Sequence, residues 1–121
     1  MDEVQVLIVE DEAIVSMDLR YKLEALGYRV AAGVRSGEEA VDAVSQLHPD
    51  VVLMDVGLSG EMDGIDAAAQ IQEKFDIPVI YLTAYTDGPT LERAKTTKPS
   101  GYLNKPFDDA ELRAVVEMAI R

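Results

Sequence analysis

The chain has no cysteine and a single histidine among its 121 residues, and 11 basic residues stand against 23 acidic ones. Without thiols, disulfides and thiolate metal sites are excluded. One histidine, His48, is not a phosphorelay, and its place before Pro49 reads as a turn position. No apolar run approaches the ~18 residues of a membrane span. The start, Met1-Asp2-Glu3, lacks the basic region of a signal peptide. The expectation is therefore a cytoplasmic protein with no membrane partner. The shortage of Lys and Arg, with a formal net charge of −12, argues against direct nucleic-acid binding, which needs clustered cations to release phosphate counterions. Repeats, linkers and low-complexity segments are also missing. What remains fits one domain, 1–121, large enough to bury roughly two thirds of its unfolded surface.

What the chain does have is an organising stretch, Val51-Val52-Leu53-Met54-Asp55-Val56-Gly57. Four apolar residues in a row, bounded by His48-Pro49-Asp50 and a Gly-rich loop, predict a fully buried parallel strand. It ends in a carboxylate, on the rim where open α/β sheets bind ligands. On its own, Asp55 is better explained as a cap of the following loop; its neighbours decide otherwise.

Val4 to Val9 is a second β-branched run, ending in Glu10-Asp11-Glu12. A helical stripe of Val15, Leu19, Leu23 and Leu26 follows, stopped by Gly27. Tyr28 to Val34 reads as a short strand. Ser36-Gly37-Glu38-Glu39 reads as a capping box opening a helix with Ala40, Val44 and Leu47 inward. After Asp55, Asp63 looks like a looser cap, and Ile65, Ala68, Ile71 and Phe75 form the next stripe. Pro78 to Thr83 predicts a fourth strand and Pro89 to Lys95 a weak helix, closed by the breakers Thr96-Thr97-Lys98-Pro99. A fifth strand, Gly101 to Asn104, leads to a last helix capped by Asp108-Asp109-Ala110-Glu111, with Leu112, Val115, Val116 and Ala119 inward. Five strands alternating with five helices predict a doubly wound, flavodoxin-like (βα)5 α/β fold with a parallel sheet.

In strand order 2-1-3-4-5, the first and third strands meet at the topological switch point. Glu10, Asp11 and Asp55 then crowd one rim, with Thr83 and Lys105 beside them. Two like charges about 4 Å apart repel by roughly 4 kcal/mol at an effective dielectric near 20. A cation must sit there, or a proton must be taken up. Oxygen-only ligands point to Mg²⁺. A carboxylate nucleophile, a hard metal, a lysine and a hydroxyl are the parts needed for phosphoryl transfer onto an aspartate.

These residues also carry a resemblance. Val9-Glu10-Asp11-Glu12, Leu53-Met54-Asp55, Leu82-Thr83-Ala84 and Lys105-Pro106-Phe107, in this order and spacing, resemble the receiver domain of two-component response regulators over essentially the whole chain. The resemblance implies that Asp55 accepts a phosphoryl group from a sensor histidine kinase or phosphotransfer protein. It implies Mg²⁺ held by Asp11 and Asp55 directly, by Glu10 through water and by the Gly57 carbonyl. Thr83 and the Ala84 N–H would hold phosphoryl oxygens, Lys105 would pair with one of them, and Lys105-Pro106 would be cis. Tyr102 stands where the family places a rotamer-switching aromatic, and the output surface would be the fourth helix, fifth strand and fifth helix. Such a domain is a phosphoacceptor rather than an enzyme acting on other substrates.

Two stretches depart from the family pattern. The loop from Gly57 to Gly64 is one residue longer than usual and lacks the usual proline, and Gly60 adds backbone freedom. Thr96-Thr97-Lys98-Pro99 replaces an Ala-Gly-rich turn and shortens the fourth helix. Tyr85, two positions beyond Thr83, is a candidate shield against water attack on the phosphoryl group, and Gly57 would leave the line of attack open.

Three other readings compete. A Mg²⁺-dependent small-molecule phosphatase of the haloacid-dehalogenase kind would carry a second Asp where this chain has Gly57. A flavodoxin-like electron carrier would need a phosphate cradle where this chain has Glu10-Asp11-Glu12-Ala13. A receiver-like adaptor that is never phosphorylated has only the intact acidic, Thr and Lys positions against it.

Overall fold

A computed structural model of the chain describes residues 3–58, 61–84 and 88–121. Ser59, Gly60 and Tyr85, and with them the expected loop freedom and the water shield, lie outside the described residues. The elements run β1 (Gln5–Val9), α1 (Ala13–Ala25), β2 (Arg29–Val34), α2 (Gly37–Leu47), β3 (Val51–Asp55), α3 (Gly64–Phe75), β4 (Val79–Thr83), α4 (Gly88–Thr96), β5 (Gly101–Asn104) and α5 (Asp109–Ala119). All strand pairs are parallel, in the order β2-β1-β3-β4-β5. This is the doubly wound arrangement expected from the alternation of strand and helix patterns.

The inner strands β1, β3 and β4 are apolar along most of their length because both sheet faces are covered there, whereas the edge strands β2 and β5 are only partly buried. Successive residues alternate between two cores. Leu7, Val9, Val52, Met54 and Tyr81 pack with Ala40, Val44, Ala68, Ile71 and Ala94 of α2, α3 and α4. Val6, Ile8, Leu53, Ile80 and Leu82 pack with Leu19, Leu23, Leu112 and Val116 of α1 and α5. Period-two alternation with each face buried is the physical reason the strands read as continuous runs.

Local signals set most boundaries. Gly27 takes φ +94°, open to glycine at no steric cost, and stops α1. Asp63 and Asp108 each form complete capping boxes, with Asp66 and Glu111 as reciprocal partners. Asp63 is thus a firmer cap than its sequence suggested. Ser36 forms only half of the expected box. Its side chain accepts from Glu39 N–H, but the Glu39 carboxylate turns to the Arg35 N–H and the Ser36 hydroxyl.

Leu47, expected inward, is 43% exposed, because α2 ends there and turns away through His48. His48 adopts a left-handed backbone, φ 47°, ψ 59°, as the C-cap, and its ring meets Phe75 edge-on, centroids 6.5 Å apart. It does structural work that its turn position did not suggest. Helix α4, nine residues long, is the shortest of the five and buries one side chain, Ala94.

Candidate functional site

The parallel sheet delivers all strand C-termini to one edge. Glu10 and Asp11 follow β1, Asp55 ends β3, Thr83 ends β4, and Lys105 follows β5. Because β1 lies directly between β2 and β3, the first two acids and Asp55 are brought together. One carboxylate oxygen from each of Glu10, Asp11 and Asp55 falls within 4.8 Å of the others.

Glu10 is 1% exposed, and each of its oxygens has a donor. Lys105 Nζ donates to Oε1 at 2.7 Å, and the Glu12 N–H donates to Oε2 at 3.1 Å. Lys105 Nζ also lies 3.5 Å from Asp55 Oδ2. Asp55 Oδ1 accepts from the Gly57 N–H at 2.9 Å. Arg35 Nη2 donates to the Asp11 carbonyl at 3.2 Å, which ties the acidic loop to the end of β2.

The electrostatics follow. Burial pushes the Glu10 carboxyl up to about 7; the Lys105 hydrogen bond opposes this, and Asp55 adds to it. Burial alone would lower Lys105, but the hydrogen bond to Glu10 and the charges of Asp55 and Glu10 hold its ammonium above the ordinary lysine value. The sequence required a cation or a proton at this rim; Lys105 supplies part of the charge from within the protein.

Lys105-Pro106 is cis, as the resemblance implied. The turn is held by the Lys105 N–H donating to the Thr83 carbonyl at 2.7 Å. Across the neighbouring helix, Lys22 Nζ donates to the Phe107 carbonyl at 3.3 Å and lies 5.1 Å from the Phe107 ring centroid.

Thr83 is buried, and its hydroxyl donates to Asn104 Oδ1 at 2.8 Å, its register partner on β5. It is thus engaged sideways, toward β5. Tyr102 is 39% exposed and tilted 38° against Tyr81, with centroids 6.0 Å apart. A cavity of about 200 Å³ joins these residues, lined by Asp55, Gly57, Thr83, Ala84, Ala94 and Tyr102 among others.

Four residues of this region carried no sequence signal of their role. Asn104 holds the Thr83 hydroxyl. Tyr81 hydrogen-bonds Thr97 at 2.7 Å. Arg93 reaches Asp63 Oδ2 at 2.9 Å and Asp66 Oδ1 at 3.2 Å. Among their partners, Thr83 had a signal as a strand-end hydroxyl and Asp63 as a helix cap.

Comparison with known proteins agrees with this geometry. The response regulator receiver domain family model matches residues 6–117. The transcriptional regulatory protein PdtaR of Mycobacterium tuberculosis is 40% identical over 116 residues, covering 96% of this chain and 56% of that protein. The phyllosphere-induced regulator PhyR of Methylorubrum extorquens is 33% identical, covering 96% of this chain and 43% of that protein. The chain thus spans about half the length of the curated relatives it matches. Among solved structures, the signal receiver domain of a modulated diguanylate cyclase from Desulfovibrio desulfuricans G20 superposes with a TM-score of 0.94 at 42% identity, covering 98% of this chain and 94% of that one. The N-terminal domain of a response regulator/sensory box/GGDEF protein from Carboxydothermus hydrogenoformans gives 0.88 at 36% identity, covering 97% and 94%. With fold, strand-end residues and relatives in agreement, this chain belongs to the response regulator receiver domain family of two-component systems.

Proposed function

We propose that this domain accepts a phosphoryl group on Asp55 from the phosphohistidine of a kinase or phosphotransfer protein, and that residues 1–121 act as one receiver unit. An Asp55 carboxylate oxygen attacks phosphorus as the P–N bond breaks. The imidazole nitrogen leaves with the bonding pair and takes a proton. The single observation that carries this reading is the convergence of Glu10, Asp11, Asp55 and Lys105 at the end of β3.

The donor set fits Mg²⁺. Three carboxylates offer oxygen atoms within 4.8 Å of one another, with no sulfur or nitrogen ligand among them, as a hard, small cation favours. Asp11 and Asp55 would hold the ion directly, Glu10 through water, and the Gly57 carbonyl would complete the protein ligands. When bound, the ion supplies charge neutralisation at the phosphoryl oxygens.

The protein's own groups do the rest. Lys105 pairs with a phosphoryl oxygen, loosening its hold on Glu10. The Ala84 N–H holds another. The Thr83 hydroxyl leaves Asn104 to reach the phosphoryl group, and Tyr102 turns into the space beneath α4. The face formed by α4, β5 and α5 thereby shifts between two pre-existing states and signals to an output partner. Moving such an equilibrium from 1:99 to 99:1 takes about 5.5 kcal/mol of differential stabilisation.

Docking of the phosphodonor is supported by α1. Ile14, Met17 and Tyr21, at helical spacing, are exposed large apolar side chains. Ile14 also lines a groove with Lys105, Pro106 and Phe107. No described helix is long and apolar enough to cross a membrane, and the acidic balance of the chain favours protein partners over nucleic acid.

The test is incubation with acetyl phosphate and Mg²⁺, followed by intact mass. A single adduct of ~80 Da, the mass of a phosphoryl group replacing a proton on a carboxylate nucleophile, is expected for wild type and is lost in Asp55→Ala. An adduct that survives in that variant places the acceptor elsewhere.

A further inference from the structure

Helix α4 is the least anchored helix of the fold. Its one buried side chain is Ala94, whereas each other helix buries at least two. Two polar ties compensate. At its C-terminal end, Tyr81 and Thr97 share a hydrogen bond of 2.7 Å, and the Thr97 hydroxyl donates to the Ala94 carbonyl at 2.7 Å. On its other flank, the guanidinium of Arg93 forks between two carboxylates, donating to Asp63 Oδ2 at 2.9 Å and to Asp66 Oδ1 at 3.2 Å.

The carboxylates that Arg93 grips are the two members of the capping box of α3. Asp63 uses Oδ1 to accept the Asp66 N–H and Oδ2 for Arg93. Burial pushes the Asp63 carboxyl up, but the hydrogen bond and charge of Arg93 together with the hydrogen bonds of Asp66 outweigh it and hold the group below its ordinary value. Gly64, the next residue, packs so closely on the Asp55 carbonyl that a Cβ there would collide with it. The fork therefore ties α4 to the turn that abuts the acceptor residue. Between them lies the cavity lined by Asp55, Thr83, Tyr102, Asp63 and Arg93.

We propose that Arg93 is an intramolecular clasp: it fixes α4 to the acceptor loop in the unphosphorylated domain, and its release is coupled to occupancy of Asp55. The proposal rests on the acceptor role of Asp55 stated above. An inward turn of Tyr102 and movement of Thr83 both disturb the space that α4 covers. A contact that holds α4 in its resting place therefore weakens phosphoryl binding. By linkage, removing it strengthens that binding by the same factor. A planar fork across two acids resists such movement more than a point charge does.

The experiment measures the affinity of Mg²⁺-beryllofluoride, a phosphoryl mimic, for wild type, Arg93→Ala, Asp66→Asn and Lys95→Ala by calorimetry. Lys95 is an exposed α4 lysine whose ion pair among the described residues lies within its own helix, to Glu92 at 3.9 Å, and it controls for loss of one positive charge. Arg93→Ala is expected to bind about two- to fivefold tighter at low salt, the range open to a partly exposed ion pair. Asp66→Asn moves the same way by less, and Lys95→Ala stays at wild type. At about 0.5 M salt the advantage of Arg93→Ala shrinks, because exposed charges are screened. Arg93→Ala binding equally or more weakly than wild type, with wild type binding, overturns the clasp alone. A wild type that takes up no beryllofluoride overturns the acceptor reading and the clasp with it.

Discussion

Lys105 and Glu10 meet at 2.7 Å across 95 residues of sequence, the shortest ion pair among the described residues. The ammonium stands nearer Glu10 than Asp55, which is 3.5 Å away. Under the proposed function, lysine and divalent cation would compete for the same carboxylates. Lys105→Ala is expected to bind Mg²⁺ about tenfold tighter, or ~1.4 kcal/mol, because the resident positive charge is gone. Magnesium titration followed by NMR shifts of the acidic loop checks this, and an affinity at or below that of wild type refutes it.

Asp55→Asn removes one of three crowded negative charges while its Oδ1 can still accept the Gly57 N–H. In EDTA the variant should be more stable than wild type by about 1–2 kcal/mol, given the like-charge repulsion it relieves. In saturating Mg²⁺ that ordering should reverse, since the variant loses a ligand. Urea denaturation in both buffers reads the effect. A variant less stable in EDTA would mean that the loss of the Lys105 contact dominates.

Burial pushes the Tyr81 phenol up to about 12; its hydrogen bond with Thr97 opposes this, and Tyr102 adds to it. The unfolded chain ionises near 10, so it releases the proton first. The stabilisation from the neutral phenol is therefore complete below about pH 10 and is lost as pH rises through about 12. Tyr81→Phe should cost about 1 kcal/mol at neutral pH, the value of one hydrogen bond, and should lose less stability above pH ~10 than wild type. Melting curves across that range test the crossing; parallel curves would show that Tyr81 does not titrate in the fold.

Gly64→Ala places a methyl group against the Asp55 carbonyl. Backbone cannot yield as a flexible side chain can, so a loss of about 1–3 kcal/mol is expected, the range for overpacking. If Asp55 accepts the phosphoryl group as proposed, phosphorylation should slow with it, since the end of β3 is displaced. Gly88→Ala, where an added Cβ meets nothing within 4 Å, serves as the control. Equal melting temperatures for wild type and Gly64→Ala would show that the turn has room.

The sheet and its rim were legible because each rests on a local pattern. Apolar runs with polar ends give strands, and parallel strands put their ends on one edge, so Glu10, Asp11, Asp55, Thr83 and Lys105 could be grouped before any contact was seen. Hidden from the sequence were choices among partners. Whether Lys105 grips Glu10 or Asp55 depends on tenths of an ångström. Thr83 meets Asn104 only through the register of β4 on β5, and Arg93 finds Asp63 across 30 residues. Helical spacing placed Leu47 inward because periodicity does not see that the helix stops. Ser36 looked like a full capping box because the motif does not say which donor the Glu39 carboxylate will choose. The strength of the Asp63 cap was missed for the opposite reason: its partner is Asp66, shorter than the Glu or Gln that the usual signature requires.

The rim draws its groups from β1, β3 and the turn after β5, the opening, middle and closing portions of the chain. A polypeptide that lacks β5 and the turn after it carries the three acids but not their lysine, so the pocket proposed for a phosphodonor is incomplete. Any ligand that needs all three groups binds the finished sheet alone and stabilises it by mass action. Under the proposed function, responsiveness to a phosphodonor therefore doubles as proof that this domain's sheet is complete.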